Sequence, residues 1–200
     1  MNGPAVMGAS PTRSPASRRL ATAANALTLL RIVLVPVFAV LVVTSGMASL
    51  GLRIGAALAF GIASLTDFAD GRLARAMNQV TAFGQVADPI ADKALTGTAL
   101  VLLSIYDRLP WWVTIVIMVR EVGVTLLRLW VIRHGVIPAS RGGKLKTALL
   151  VAAITWYLLP FPTPLAAAGP WLMGLATAVT VITGVDYVAR AVRLRAAARG

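Results

Sequence analysis

Four aspartates in one short stretch of the chain have the spacing that divalent-metal chemistry needs. Asp67 and Asp70 are three residues apart, and Asp88 and Asp92 are four residues apart. On α-helices these spacings place each pair on one face, with about 60° between the first two side chains and about 40° between the second two. If a short connection makes the two helices antiparallel neighbours, both pairs face a common point.

The residues around these aspartates are largely apolar, so ionised carboxylates there need compensating cations. Oxygen ligands without His or Cys favour Mg²⁺, Mn²⁺ or Ca²⁺, and four carboxylates can hold two such ions, which suits phosphoryl transfer. A purely structural alternative is that the aspartates pair with Arg72, Arg75 and Lys93. The dipeptide Asp88-Pro89 is also predicted to begin the second helix, with Asp as its cap.

Composition excludes several other kinds of site. The 200-residue chain is 58% hydrophobic, contains no cysteine and has one histidine, so thiolate sites, disulfides and a histidine-based zinc site are excluded. The formal net charge is +12, and the basic residues flank apolar runs. That pattern favours anionic lipid head groups and phosphate-bearing substrates as partners, and no nucleic acid.

The elements that must position the aspartates are long apolar segments. They predict an all-α integral membrane fold with six transmembrane helices. The predicted spans are 24–45, 50–76, 87–106, 110–133, 146–161 and 168–192. Residues 1–21 are predicted to form a disordered cytoplasmic tail beside the membrane, and residues 22–200 a catalytic membrane domain.

The distribution of basic residues predicts the orientation. Most of the 19 Lys and Arg residues fall on the side of the N-terminus, whereas only Arg53 and Arg108 fall on the other side. Because cytoplasmic loops carry the excess of Lys and Arg, both termini and the four aspartates are expected at the cytoplasmic face. The membrane we expect is the inner or plasma membrane of a bacterial cell.

The stretch from Asp67 to Asp92 resembles the pattern of the CDP-alcohol phosphatidyltransferases, D-x2-D-G-x2-A-R-x8-G-x3-D-x3-D. All of its defined positions are present at the right spacing, and the resemblance extends over nearly the whole chain from about residue 22. It implies six transmembrane helices, a homodimer, and the displacement of CMP from a CDP-linked lipid or alcohol by another alcohol.

The resemblance also implies roles for the residues of the motif. Two metal ions, expected to be Mg²⁺ or Mn²⁺, are implied to be bound by the aspartates Asp67, Asp70, Asp88 and Asp92. The last of these is also expected to be the catalytic base. Contacts with the CDP moiety are implied for Gly71, Ala74 and Arg75.

Weaker features predict the acceptor alcohol. Residues 25–31, 120–121 and 139–147 look like the phosphatidylglycerophosphate synthase subfamily, which uses CDP-diacylglycerol and sn-glycerol 3-phosphate. Four cations on the predicted cytoplasmic side could bind the acceptor phosphate: Arg120, Arg141, Lys144 and Lys146. For Arg120, inside an apolar span, a pair across helices remains an alternative, because Glu121 is expected to point to another helix face.

These features predict an enzyme of phospholipid biosynthesis that makes phosphatidylglycerol phosphate and CMP. Its expected partners are the two substrates, membrane lipid and a second copy of the chain. Two alternatives within the family are a cardiolipin synthase and a phosphatidylinositol-phosphate synthase, which use other acceptors. More distant alternatives are a cation transporter that uses the carboxylates as a transit site and a non-catalytic membrane scaffold.

Overall fold

Long apolar segments separated by short turns fold into helices that lie against one another. The computed structural model describes the backbone of residues 15–77, 82–131 and 141–197, and the side chains of 26–66, 90–127 and 142–196. All regular structure in these ranges is α-helical. The helices are α1 (Pro15–Ser45), α2 (Leu50–Met77), α3 (Ala82–Ile105), α4 (Trp111–Val131), α5 (Arg141–Leu158), the four-residue α6 (Thr163–Ala166) and α7 (Ala168–Ala197).

Each predicted span corresponds to one of the six long helices, but three helices begin earlier than predicted. α1 begins at Pro15, inside the segment expected to be a disordered tail, of which residues 1–14 lie outside the described residues. α3 begins at Ala82, so Asp88 does not cap it, because a capping residue must stand at the helix start. Alanines at both ends of residues 82–87 favour the extra helical turns before Asp88.

α5 begins at Arg141, where the sequence predicts a loop before the fifth span. The turn-forming and charged residues of this stretch favour a loop, and Gly142 and Gly143 each cost a helix about 1 kcal/mol relative to alanine. Packing of α5 against α7 and α2 outweighs those local preferences. Lys144 and Lys146 therefore belong to the first turns of a helix.

The described helices carry partial evidence of a membrane protein. By length and composition, the segments Ala26–Ser45 and Thr163–Ala196 could each cross a membrane. Large hydrophobic side chains are also exposed on all six long helices, with Leu58, Val119 and Ile182 each at least 60% exposed. Such extensive apolar exposure is uncommon on the surface of a soluble monomer.

The core is formed by residues of all six long helices, and it includes the aromatic pair Phe38 and Phe60, with ring centroids 5.7 Å apart. Small buried residues on α2, Ala56 and Ala63, allow the neighbouring helices to approach closely. Ser104 of α3 and Thr114 of α4 form a buried hydroxyl–hydroxyl hydrogen bond of 2.7 Å. These contacts fix the relative positions of the helices that carry the candidate site.

One end of the bundle is closed by arginine contacts with backbone carbonyls. Arg53, near the start of α2, donates hydrogen bonds to the carbonyl oxygens of residues 157, 158 and 159 at the end of α5, at 3.1–3.2 Å. A cation there satisfies carbonyls that have no partner within the helix. The aspartate motif lies at the other end, where α2 finishes and α3 begins.

Candidate active site

The backbone of α2 and α3 carries the aspartate motif. Both members of each aspartate pair lie within a helix, and the two helices pack against each other. The predicted helical spacing of the pairs is therefore confirmed at the level of the backbone. Seven residues of the predicted site have side chains outside the described residues: Asp67, Asp70, Gly71, Ala74, Arg75, Asp88 and Arg141.

Asp92 is the motif aspartate whose side-chain environment the structure describes. It is half-buried and lines a small cavity, of about 40 Å³, between α3, α4 and α5. The polar rim of the cavity also includes Lys93, Thr96, Glu121 and Lys146. Apolar residues of the same three helices, including Leu100, Ile117 and Leu150, complete the lining.

Lys146 brings a positive charge to the same cavity as Asp92. The residue is 8% exposed, and its ammonium group donates a hydrogen bond to Glu121 Oε1. Lys144, two residues earlier on α5, is exposed and does not line the cavity among the described residues. Three of the predicted phosphate-binding cations, Arg120, Lys144 and Lys146, have described side chains. Of these, Lys146 lines the same cavity as Asp92.

Arg120 points towards α7. Its Nε donates a 3.0 Å hydrogen bond to the carbonyl oxygen of Thr180, and its Nη2 donates one of 3.0 Å to Thr183 Oγ1. Arg120 is absent from the described lining of the Asp92 cavity. The alternative of a contact across helices is therefore the one that the structure supports for this residue.

Arg120 also forms an ion pair with Glu121, contrary to the expectation that adjacent residues point apart. Its Nη1 lies 3.0 Å from Glu121 Oε1. Neighbouring positions are about 100° apart around a helix, but both side chains are long enough to curve towards each other. Glu121 Oε1 thereby accepts hydrogen bonds from Arg120 and from Lys146.

The contacts of Glu121 with two cations, and the close approach of Gly184 to Arg120, were not predicted from the sequence. A single carboxylate in an apolar helix was a signal that Glu121 has a buried partner. Gly184 of α7 offered no such signal, because glycine is common in apolar helices. In the structure, a Cβ added to Gly184 would lie 2.9 Å from Arg120 Cγ, so this glycine makes room for the arginine.

The metal site remains a prediction. Three of its four carboxylates lie outside the described side chains, and the remaining ones provide no cluster of three His, Cys, Asp or Glu residues. The donor set of the motif consists of carboxylates alone, which fits Mg²⁺ or Mn²⁺. The described half-burial of Asp92 beside two lysines fits a carboxylate that requires nearby cations.

Comparisons with known proteins relate the chain to one group of enzymes. The family model described as CDP-alcohol phosphatidyltransferase matches residues 21–182. A Mycobacterium tuberculosis protein named "Probable phosphatidylglycerophosphate synthase" is 53% identical over 175 residues, which cover 88% of this chain and 84% of the relative.

Two more distant relatives are both named "CDP-diacylglycerol--glycerol-3-phosphate 3-phosphatidyltransferase". The Bacillus subtilis protein is 37% identical over 182 residues, covering 83% of this chain and 93% of the relative. The Rickettsia typhi protein is 38% identical over 168 residues, covering 82% of this chain and 93% of the relative. The similarity therefore extends across almost the full length of these proteins.

Proposed function

The chain belongs to the CDP-alcohol phosphatidyltransferase family, and we propose that it transfers the phosphatidyl group of CDP-diacylglycerol to sn-glycerol 3-phosphate. The products are phosphatidylglycerol phosphate and CMP, and the reaction is a step of phospholipid biosynthesis. The names of the relatives support this acceptor. The structural observation that carries the proposal is that Asp92 and Lys146 line one cavity.

The two residues match the two ends of the acceptor. Lys146 offers an ammonium group for the phosphate of glycerol phosphate, and Asp92 offers a carboxylate for its hydroxyl. Asp92 accepts the proton of the 1-hydroxyl, whose oxygen forms a bond to the phosphorus that carries the lipid. The bond between that phosphorus and the oxygen bridging to CMP breaks, and CMP leaves with the bonding electrons.

The aspartates Asp67, Asp70, Asp88 and Asp92 would hold two divalent cations, Mg²⁺ or Mn²⁺. When bound, these ions supply positive charge against the pyrophosphate. Gly71, Ala74 and Arg75 would contact the CDP moiety, with the Arg75 guanidinium paired to a phosphate. Arg141 and Lys144, at the start of α5, would add positive charge near the acceptor.

The proposed setting is a homodimer in the inner or plasma membrane of a bacterium. Each of the six long helices crosses the bilayer, and both termini and the active site face the cytoplasm. The basic residues on the side of the N-terminus and the exposed apolar side chains of the helices support this arrangement. A water-soluble acceptor then reaches Asp92 from the cytoplasm, while CDP-diacylglycerol enters from the membrane.

A panel of acceptors tests the proposal. Purified protein is supplied with CDP-diacylglycerol, Mg²⁺ and one of three acceptors, and CMP release is measured. We expect release with sn-glycerol 3-phosphate and little with inositol phosphate or phosphatidylglycerol. Release with inositol phosphate alone would indicate a phosphatidylinositol-phosphate synthase, and release with phosphatidylglycerol alone a cardiolipin synthase.

A further inference from the structure

A continuous series of polar contacts connects α7 to the Asp92 cavity through Arg120, Glu121 and Lys146. We propose that Arg120 and Glu121 are positioning residues, which hold the Lys146 ammonium at the cavity so that it binds the phosphate of the acceptor. This inference rests on the proposed phosphatidyl transfer to a phosphorylated alcohol. It gives Arg120 an indirect role instead of the phosphate contact that the sequence predicts.

Arg120 is fixed at three points of its guanidinium group. Nε and Nη2 bind the backbone and side chain of α7, through Thr180 and Thr183, and Nη1 binds Glu121, each at 3.0 Å. Thr183 Oγ1 is itself bonded to the carbonyl of Val179 at 2.7 Å, so its position is set by α7. A planar group bound in this way has little freedom to turn towards a substrate.

Gly184 provides the space in which Arg120 lies. An added Cβ would be 2.9 Å from Arg120 Cγ and 3.2 Å from its Nε. Contacts that short force the arginine away from α7. The fit between Gly184 and Arg120 therefore supports a defined position for the guanidinium group.

Glu121 connects the fixed Arg120 guanidinium to the Lys146 ammonium group. Its Oε1 atom accepts hydrogen bonds from both cations, and the Lys146 side chain is only 9% exposed. An ammonium group with so little access to water needs a fixed counter-charge. Together, Arg120, Lys146 and Glu121 carry one net positive charge, which favours the binding of a phosphate in the adjoining cavity.

Glu121 could instead be a displaceable anion that leaves when phosphate arrives. The contacts favour the fixed role, because displacement would also remove the carboxylate partner of Arg120, whose side chain is 15% exposed. Breaking a pair in so enclosed a place is costly. The two roles predict opposite changes in acceptor affinity.

The test measures steady-state CMP release by Glu121→Gln and Gly184→Ala variants, using whichever phosphorylated acceptor supports turnover by the unaltered protein. We expect KM for the acceptor to rise about tenfold in each variant, the scale of one charge-assisted hydrogen bond, while KM for CDP-diacylglycerol changes less than about twofold. In a Lys146→Ala background the same substitutions should add no further loss, because they act through Lys146. Gly174→Ala is the matched control on α7, since a Cβ there has open space.

Three results would overturn the inference. A lower acceptor KM for Glu121→Gln would identify a displaceable anion. An equal rise in KM for both substrates would indicate a general structural role, and unchanged kinetics would exclude any role. If the unaltered protein released no CMP with any phosphorylated acceptor, the proposed function would fail instead, so the two failures are distinguishable.

Discussion

Asp92, a residue of the aspartate motif, lines the same cavity as Lys146. The motif spacing predicts a functional role for the Asp92 carboxylate on α3. The structure adds a buried cation, Lys146 of α5, to the lining of the same cavity. Of the two lysines in the first turns of α5, Lys146 lines this cavity, whereas Lys144 is exposed.

Substitution of Asp92 tests the role of the catalytic base. Asp92→Asn should lower kcat for CMP release by at least about 100-fold, because general-base catalysis commonly contributes that factor or more. Asp186→Asn is a suitable control, since Asp186 is exposed and paired with Arg190 at 3.0 Å, away from the cavity. Near-normal CMP release by Asp92→Asn would refute the base assignment.

Removal of divalent cations tests the other role of the aspartates. Dialysis against EDTA should abolish CMP release, and added Mg²⁺ or Mn²⁺ should restore it, because a carboxylate-only site binds hard cations. Full activity in the presence of excess chelator would contradict the metal site.

The placement of the motif aspartates on helices could be predicted from the sequence, whereas the hydrogen bonds around Glu121 could not. The aspartate spacing is local along the chain and needs only helical geometry. The contacts of Glu121 with Lys146, and of Arg120 with Thr180, depend on how α4, α5 and α7 are rotated against one another. A single sequence contains no direct measure of those rotations.

At the scale of elements, helix ends in the sequence were predicted better than helix starts. Turn-forming residues such as Gly46, with φ of 51°, mark where α1 ends. Alanines at both ends of residues 82–87 favour the early start of α3, whereas packing against α7 and α2 extends α5 beyond its predicted boundary. The consequence for the site is that Lys146 occupies a helical position, which determines the direction of its side chain.

Arg53 should contribute to the stability of the bundle as the connection between α2 and α5. Arg53→Met keeps much of the aliphatic length but removes three hydrogen bonds to carbonyls. We expect the free energy of unfolding to fall by about 1.5–3 kcal/mol, the range for hydrogen bonds to a charged group, measured by thermal unfolding in detergent.

Arg108→Met is the control variant for Arg53→Met. Arg108 is exposed and donates one 3.3 Å bond to the carbonyl of Met47. Equal melting temperatures for the two variants would show that the contacts of Arg53 add no particular stability.

At the scale of the whole molecule, the amino-acid composition and the charge asymmetry predict a helical membrane protein. The six long helices agree with that architecture, and two segments have the length and apolar character of a membrane span. On α4, Arg120 contacts Thr180 and Thr183 of α7, and Glu121 accepts a hydrogen bond from Lys146 of α5. Composition along one helix cannot reveal such compensation between helices.

The orientation in the membrane can be tested cleanly because the chain has no cysteine. Single cysteines are introduced at Ser49, in the exposed turn between α1 and α2, and at Ala196, near the end of α7. In intact spheroplasts, a membrane-impermeant maleimide should label Ser49→Cys, whereas Ala196→Cys should react only after permeabilisation. The reverse pattern would contradict cytoplasmic termini.

Transfer of the phosphatidyl group to glycerol phosphate, proposed to occur at the cavity of Asp92 and Lys146, can be followed with isotopically labelled sn-glycerol 3-phosphate. Purified protein is supplied with this acceptor, CDP-diacylglycerol and Mg²⁺, and incorporation of the label into lipid is measured. We predict labelled phosphatidylglycerol phosphate, identified by mass spectrometry, in a one-to-one ratio with released CMP. Release of CMP without labelled lipid would contradict the proposed transfer.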